Sequence, residues 1–358
     1  MFFTCAPHSH RAPADQGSTV TVTDGSKSLV VDLHCHKQSM TVGDKMKAEA
    51  EKAGRMALQY GSDLTKKINR EQLETIIPKM TDLNERLADM DRMGVDIQAI
   101  CVSPYQYYYW ADAELGRETS REINDEMAET VAQQPDRLVA LGTLPMQNTD
   151  MAIAEMDRCI NELGFRGFEI STHINGEELN IERLEKFWAK AEELDTVVFI
   201  HPDGFTHGQR MQDNYFLNVI GHPVESTLAI SHMIFGGVLE RYPGLKVVVA
   251  HGGGYVPAYA GRMEHAYHAR ADVREDLPNP PSHYLKKLYF DTMVFDPDQL
   301  GVLIETYGAD KIVLGTDYPY DMGEDDPVGL VNKVKGLSDH DRTCICGHNA
   351  AQLLKIES

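Results

Sequence analysis

Histidine and aspartate residues recur at the ends of short apolar, β-branched runs in this chain. His34 and His36 end the run LVVDLHCH, and His201 ends the run TVVFIHP. His251 follows KVVVA, and Asp317 follows KIVLGT. Imidazoles together with one carboxylate form a ligand set that proteins use for Zn²⁺ and similar divalent ions. Four histidines and one aspartate at four separate run ends therefore predict a metal site.

The elements that must bring these residues together form a repeated series of strands and helices. Eight near-continuously apolar runs are typical of parallel strands that are buried on both faces: residues 29–36, 97–104, 137–146, 165–172, 196–202, 246–253, 287–294 and 311–319. Between them, apolar residues recur at helical spacing. This alternation predicts a (β/α)8 TIM barrel, whose site lies at the carboxyl ends of the strands. An open doubly wound sheet is the alternative, but no Gly-rich phosphate loop follows the first run.

The predicted barrel spans residues 29–358, and a partly ordered leader at 1–28 precedes it. An inserted segment at about 37–78 carries a helical pattern and follows the first strand, and residues 204–223 form a long connection after the fifth. Because insertions at the carboxyl ends of barrel strands usually lie over the site, we expect both segments to cover the metal.

The charge balance limits which partners the protein can have. The formal net charge is −21, from 34 Lys and Arg against 55 Asp and Glu. Nucleic acids and anionic membranes attract basic surfaces, so neither is an expected partner. The sequence has no apolar run long enough for a membrane span and no signal peptide pattern, and we expect a cytoplasmic location. An acidic protein that binds a small carboxylate must supply positive charge locally, through a metal ion or a few arginines.

The motifs around these residues resemble the amidohydrolase superfamily. DLHCH, FIHP, AHGGG and GTDYP carry the resemblance, together with PVESTLAI, AHGGGYVPAYAGR and VLGTDYPYDMGE. It covers roughly residues 29 to 355 and is strongest to the branch of metal-dependent decarboxylases typified by 2-amino-3-carboxymuconate-6-semialdehyde decarboxylase. The resemblance implies that the metal ligands are His34, His36, His201 and Asp317. It also implies that His251 is the mechanistic base.

The same resemblance implies which groups bind a substrate carboxylate. The family arginine in the GGG…GR segment matches Arg262 and in the family reaches the neighbouring subunit's site, which implies a homodimer. A second family arginine lies in the long segment before MGVD. The candidates for it here are Arg70 and, with a poorer match, Arg55.

Other polar and aromatic residues near the predicted site have competing interpretations. Tyr320 follows the predicted ligand Asp317 closely, and we expect it to contact the substrate. The aromatic run at 107–110 fits either stacking on a planar substrate or simple packing. Asp291 is expected to have a structural hydrogen-bonding role. His222 precedes a proline in a loop, and the interpretation leaves it outside the site.

Strand four bears on the number of metal ions. Binuclear amidohydrolases use a carboxylated lysine at the end of this strand, and FEISTH contains no lysine. We therefore expect one divalent ion per subunit, with Zn²⁺ favoured over Mn²⁺. The chain departs from the family after His201, where Asp203 replaces an aromatic residue. An acidic side chain there changes which substituents the substrate can carry.

Such a site suits two classes of reaction. A divalent ion with an open position lowers the pKa of bound water toward about 7. His251 can take or deliver a proton, and we expect Asp317 to have a catalytic role as well, by helping to hold the water. Arg262 and the flanking motifs favour non-oxidative decarboxylation of an unsaturated or aromatic carboxylate, in the catabolism of aromatic compounds. The alternative is a hydratase, or a hydrolase of a lactone, ester or amide, that acts on a ring-cleavage acid.

Overall fold

Eight parallel strands in sequential order form the centre of the computed structural model, which describes residues 28–53 and 60–357. They are β1 Val31–Lys37, β2 Ile97–Val102, β3 Leu138–Gly142, β4 Gly167–Ile170, β5 Val197–Ile200, β6 Lys246–Val249, β7 Tyr289–Asp291 and β8 Ile312–Val313. Backbone hydrogen bonds from Leu33 N to Leu314 O (3.0 Å) and from Asp317 N to His34 O (2.8 Å) join the residues after β8 to β1. The predicted (β/α)8 barrel is confirmed. The predicted leader, except for Ser28, lies outside the described residues.

Helices pack around this sheet and connect its strands. They are α1 Met40–Ala53, α2 Asp63–Thr81, α3 Leu83–Met93, α4 Ala113–Gln133, α5 Thr149–Asn161, α6 Glu185–Glu193, α7 His222–Phe235, α8 Val238–Arg241, α9 Val256–Ala269, α10 Pro281–Leu285, α11 Pro297–Tyr307, α12 Pro327–Asn332, α13 Asp339–Thr343 and α14 Asn349–Leu353. The two ends of α3 show which residues begin and end a helix in this chain. The Asp82 side chain accepts hydrogen bonds from two backbone N–H groups of the first turn, and Gly94 ends the helix at a φ of 72°.

Apolar side chains fill the space inside the barrel and between the strands and the helices. Phe199 on β5 is fully buried, and its ring contacts His34 at a centroid distance of 4.9 Å. Trp188 on α6 is fully buried in the layer outside the strands. Burying a large apolar side chain contributes about 1.5–3 kcal/mol, so these layers hold the strand ends in place. No helix among the described residues is long and apolar enough to cross a membrane.

The observed strands are shorter than the apolar runs that predict them. The runs at 246–253 and 311–319 contain strands of only four and two residues, β6 and β8. His251 and Asp317 lie beyond these strands and adopt positive φ values of 57° and 53°. Residues other than glycine rarely adopt this left-handed conformation. Sharply bent loops rather than the strand pleat therefore place these two side chains.

Helices α1, α2 and α3 lie between β1 and β2, within and just after the segment at about 37–78. That this segment is an insertion stays a prediction. The segment at about 37–78 contacts the long connection after β5 through a hydrogen bond that the backbone N–H of Ser62 donates to Gln212 O at 2.8 Å. Asp321 accepts from Gln72 Nε2 and from Tyr215 Oη, each at 3.2 Å. The two segments thus contact each other and the loop that follows Asp317.

Candidate metal centre

The residues predicted to bind a metal meet at the carboxyl end of the barrel. The centroids of neighbouring imidazole rings lie 4.9 to 5.3 Å apart among His34, His36, His201 and His251. Asp317 lies against three of the rings. Its Oδ1 is 3.3 Å from His34 Nε2 and 3.1 Å from His36 Nε2, and its Oδ2 is 3.6 Å from His251 Nε2. The structure therefore brings together all five residues.

Three of these imidazoles have an oxygen acceptor at the nitrogen that points away from Asp317. Nδ1 of His34 lies 2.7 Å from Asp291 Oδ2, Nδ1 of His36 lies 3.3 Å from Val102 O, and Nδ1 of His201 lies 2.8 Å from Pro202 O. A proton on Nδ1 leaves Nε2 with a free lone pair. The Nε2 atoms of these histidines and Asp317 Oδ1 are buried without a hydrogen-bond partner. A divalent cation would satisfy all four atoms at once.

Asp291, at the end of β7, fixes the ring of His34. Its Oδ2 also accepts from the backbone N–H of His251 at 3.0 Å, and its Oδ1 accepts from Gly252 N at 2.7 Å and Met293 N at 3.1 Å. Burial alone would raise the pKa of Asp291, but its hydrogen bond with His34 and the nearby positive charge lower it. One ionised carboxylate thus orients the predicted ligand His34 and holds the turn that carries His251, in agreement with the structural role expected for Asp291.

The electrostatics of the cluster favour a cation. Burial would lower the pKa of His34, but Asp317 and Asp291 outweigh burial and raise it to about 10. Burial would likewise raise the pKa of Asp317, yet the charge of His34 and the close approach of the surrounding imidazoles hold it well below its usual range. Burial and repulsion by neighbouring imidazoles lower the pKa of His201. Asp317 is therefore an anion that attracts either a proton on His34 or a metal ion in its place.

His251 lies at the accessible edge of the cluster. Its side chain is 14% exposed, whereas those of His34 and His36 are fully buried. One potential ligand atom from each of His34, His201, His251 and Asp317 lies within 4.8 Å of the others. His251 is therefore close enough to exchange a proton with a molecule bound beside the metal position.

His222, which we expect from the sequence to lie outside the site, lies beside His251 in the structure. It is the first residue of α7, and its ring stacks on His251 with a centroid distance of 6.0 Å and an interplanar angle of 25°. Burial and the nearby His251 lower its pKa to about 3, so the ring is neutral at physiological pH. Its position depends on the path of the long connection after β5, which local sequence does not define.

Glu169 is a second site residue that the sequence reasoning missed. It lies on β4, is fully buried, and has Oε1 at 3.8 Å from His36 Nδ1. Burial raises the pKa of Glu169 well above its ordinary value, although His34 and the Tyr107 hydroxyl act in the opposite direction. The available signal was a single charged residue within the otherwise apolar run FEI.

The residues predicted to bind substrate have different positions. The Tyr320 ring lies 5.3 Å from that of His36, and its hydroxyl hydrogen-bonds with Ser103, so Tyr320 lies beside the histidine cluster. Arg262 is exposed on α9 and lines a groove of about 520 Å³ that none of the five clustered residues lines. Arg70 is exposed on α2, and in the part of the chain that is described no hydrogen bond or ion pair joins it to the cluster. Arg55 lies outside the described residues.

Comparison with known proteins places this centre in a family. The amidohydrolase family model Amidohydro_2 matches residues 31–356. The chain is 35% identical to 2-amino-3-carboxymuconate-6-semialdehyde decarboxylase from Dictyostelium discoideum, over 92% of this chain and 93% of that one. It is 25% identical to 2-keto-4-carboxy-3-hexenedioate hydratase from Sphingobium, over 81% and 83% of the two chains. The fold also matches dihydroxybenzoic acid decarboxylase from Polaromonas, solved with manganese and 2-nitroresorcinol, with a TM-score of 0.76 at 22% identity over 92% and 97% of the chains. The chain therefore belongs to the amidohydrolase family.

Proposed function

We propose that this protein is a metal-dependent carboxy-lyase that removes CO₂ from an unsaturated or aromatic carboxylate without oxidation. The observation that carries the proposal is the buried group of three Nε2 atoms and Asp317 Oδ1, which face one another without hydrogen-bond partners. The 35% identity to a decarboxylase over nearly the full chain supports the choice of reaction.

The residues that would hold the ion are His34, His36, His201 and Asp317. Three imidazoles and one carboxylate suit Zn²⁺, while the manganese in the related dihydroxybenzoic acid decarboxylase supports Mn²⁺ as the second candidate. When bound, a single ion would act as a Lewis acid and stabilise negative charge that develops on the substrate.

His251 is the group that we assign to proton transfer. One nitrogen, Nε2, faces Asp317 Oδ2 at 3.6 Å, and the other, Nδ1, is buried without a hydrogen-bond partner. This arrangement lets the carboxylate orient the ring while the ring holds a proton for the carbon that carries the leaving carboxylate. The stacked neutral ring of His222 limits how far His251 can turn.

The positive charge for the substrate carboxylate is part of the same proposal. Arg262 does not lie in the site of its own chain, so we assign it to the site of a second subunit in a homodimer. The groove that it lines includes Tyr259, which is 68% exposed, and such an exposed aromatic surface suits burial against another copy. Arg70 remains the candidate from the segment after β1. Five described cysteines are free thiols, which supports a cytoplasmic location.

A hydratase that acts on a ring-cleavage acid is the second candidate, favoured by the likeness to 2-keto-4-carboxy-3-hexenedioate hydratase. Both reactions need a cation, a proton-transferring histidine and recognition of a carboxylate. The product distinguishes them, because a lyase of this kind releases CO₂ whereas a hydratase adds water to the substrate.

The test is a product assay on protein stripped of metal and reloaded with Zn²⁺ or Mn²⁺. Carboxymuconate semialdehydes and hydroxybenzoates are the substrates, and CO₂ release and product mass are the readouts. We expect CO₂ and a decarboxylated product from the reloaded protein only. His34→Ala should lose the ion and the activity, while His283→Ala, an exposed histidine on α10, should keep both. Products heavier by one water, with no CO₂, would establish the hydratase.

A further inference from the structure

Two buried polar side chains beside the metal cluster have no hydrogen-bond partner of their own. Both carboxyl oxygens of Glu169 are unpaired, and the residue is fully buried. The Tyr107 hydroxyl is also unpaired, in a residue that is 3% exposed. The Tyr107 hydroxyl lies close enough to the Glu169 carboxyl to lower its pKa, but the two do not reach the geometry of a complete hydrogen bond. The unpaired groups therefore lie next to each other.

Among the buried glutamates that the structure describes, only Glu169 lacks a hydrogen-bond partner. Among the described residues, Glu155 and Glu225 are the other buried glutamates, and both are hydrogen-bonded. Glu155 accepts from Arg158 Nη2 at 2.7 Å and Asn124 Nδ2 at 2.8 Å, and Glu225 accepts from Thr206 N at 2.9 Å. Because proteins rarely leave buried polar groups unpaired, Glu169 and Tyr107 are expected to meet a partner that is not part of the chain.

That partner must be near the metal position. One potential ligand atom from each of His36, Glu169 and His201 lies within 4.8 Å of the others. A second cation there is disfavoured, because His36 and His201 direct Nδ1 to backbone oxygens and have only Nε2 for a metal. His36 Nε2 already faces Asp317 Oδ1. A hydrogen-bonding ligand explains the unpaired groups better.

We infer that Glu169 and Tyr107 bind a hydroxyl or amino substituent of the acid whose carboxylate lies at the metal. At least one carboxyl oxygen accepts a hydrogen bond in either protonation state, and a tyrosine hydroxyl both accepts and donates. A substituent with a polar hydrogen satisfies both groups, whereas a ring carbon leaves both unpaired. The charge of Asp203 also acts on the pair, which disfavours a second anionic substituent there. This assignment rests on the proposed function, since it specifies the substrate of the same site.

The test is calorimetric binding of two probes, 2,6-dihydroxybenzoate and benzoate, to the full chain loaded with Mn²⁺. We expect the hydroxylated probe to bind the wild type at least about 100-fold more tightly, since a site built for a hydroxyl strongly rejects an analogue without it. Glu169→Leu should remove most of that preference and leave the affinity for benzoate unchanged. Glu169→Gln, which keeps an acceptor oxygen, should retain much of it, and Tyr107→Phe should reduce it.

Matched variants separate recognition from folding. Glu155→Gln and Tyr307→Phe each alter a buried hydrogen-bonded group elsewhere in the chain. They should lower thermal stability without changing the ratio of the two affinities. Metal content is measured for every variant by elemental analysis, and we expect Glu169→Leu to keep its ion.

Several outcomes would overturn the assignment. A wild type with no preference for the hydroxylated probe, whether both probes bind or neither does, excludes it. Equal weakening of both probes by Glu169→Leu indicates a structural water, and loss of the ion indicates a role in metal binding. If the preference depends on Glu169 but no carboxylate releases CO₂, the recognition role stands and the proposed reaction is wrong.

Discussion

Replacing Asp291 by asparagine tests whether the carboxylate behind His34 sets the metal affinity. The carboxylate accepts four hydrogen bonds: Oδ2 from His34 Nδ1 and His251 N, and Oδ1 from Gly252 N and Met293 N. An asparagine must direct its NH₂ group at one of these two pairs of donors. If it faces His34, the imidazole must carry its proton on Nε2 and loses the lone pair that a metal needs. If it faces the backbone, two N–H groups lose their acceptor.

The size of the effect follows from these contacts. Loss of a group that orients a metal ligand typically weakens binding by about 10- to 100-fold, which corresponds to about 1.4–2.7 kcal/mol. Either orientation also removes two hydrogen bonds to a charged acceptor, each of which contributes about 1.5–3 kcal/mol. Asp291→Asn should therefore weaken Mn²⁺ or Zn²⁺ binding at least 10-fold and lower the free energy of unfolding by about 3 kcal/mol or more.

The assay is competition with a chelator of known affinity, with urea denaturation of the metal-free protein in parallel. Asp296→Asn is the matched control on the same loop, because Asp296 caps α11 through Gln299 N and asparagine caps a helix equally well. It should leave both measurements unchanged. Wild-type metal affinity in Asp291→Asn would refute the argument that this carboxylate orients His34.

Two further changes test the same centre. Because a proton and a metal ion would compete for His34, whose pKa is raised to about 10, the apparent Mn²⁺ affinity should rise by up to about tenfold per pH unit between pH 6 and 8. A Mn²⁺ affinity that does not change with pH would contradict this. In the metal-free protein, the raised pKa of His34 stabilises the folded state. This contribution to the free energy of unfolding is fully present below pH 6.5, the approximate pKa of histidine in the unfolded chain, and is lost as the pH rises through about 10. Urea denaturation across that pH range would detect the loss. Gly315→Ala should also weaken metal binding, measured by chelator competition, because the added Cβ would lie 2.8 Å from His34 Cβ; unchanged affinity would show that the ring can move without cost.

The fold and the histidine–aspartate cluster follow from sequence because the topology does most of the positioning. Parallel strands place all their carboxyl ends at one end of a barrel. Residues at the ends of these strands therefore lie near one another, independently of the paths of the loops. His34, His36 and His201 are on or directly after strands, and their side chains needed no further information. The pattern of apolar residues is sufficient to predict the positions of these three histidines.

The positions of residues that loops place follow only in part from the same reasoning. His222 reaches the cluster because the connection after β5 returns to the barrel mouth, a path that depends on its contacts with the segment after β1. His251 and Asp317 depend on left-handed turns that end the strands earlier than the apolar runs do. For Arg262, the described chain provides only an exposed position on α9, and the target that we propose for it lies in a second subunit. Glu169 lies within an apolar run, where the strand pattern alone predicts a buried position and no function for the carboxyl.

Charge balance connects the cluster to the number of ions it would hold. Asp291 and Asp317 are the two carboxylates in contact with His34, both are buried, and the surrounding groups lower the pKa of each. Burial instead raises the pKa of Glu169 well above its ordinary value, which disfavours a negative charge on this third carboxyl. Two negative charges are balanced by one divalent ion bound to neutral imidazoles. A second divalent ion would leave excess positive charge in a buried site, which is energetically costly without further anions. The charge of the site itself thus supports the prediction of a mononuclear centre, independently of the missing lysine on β4.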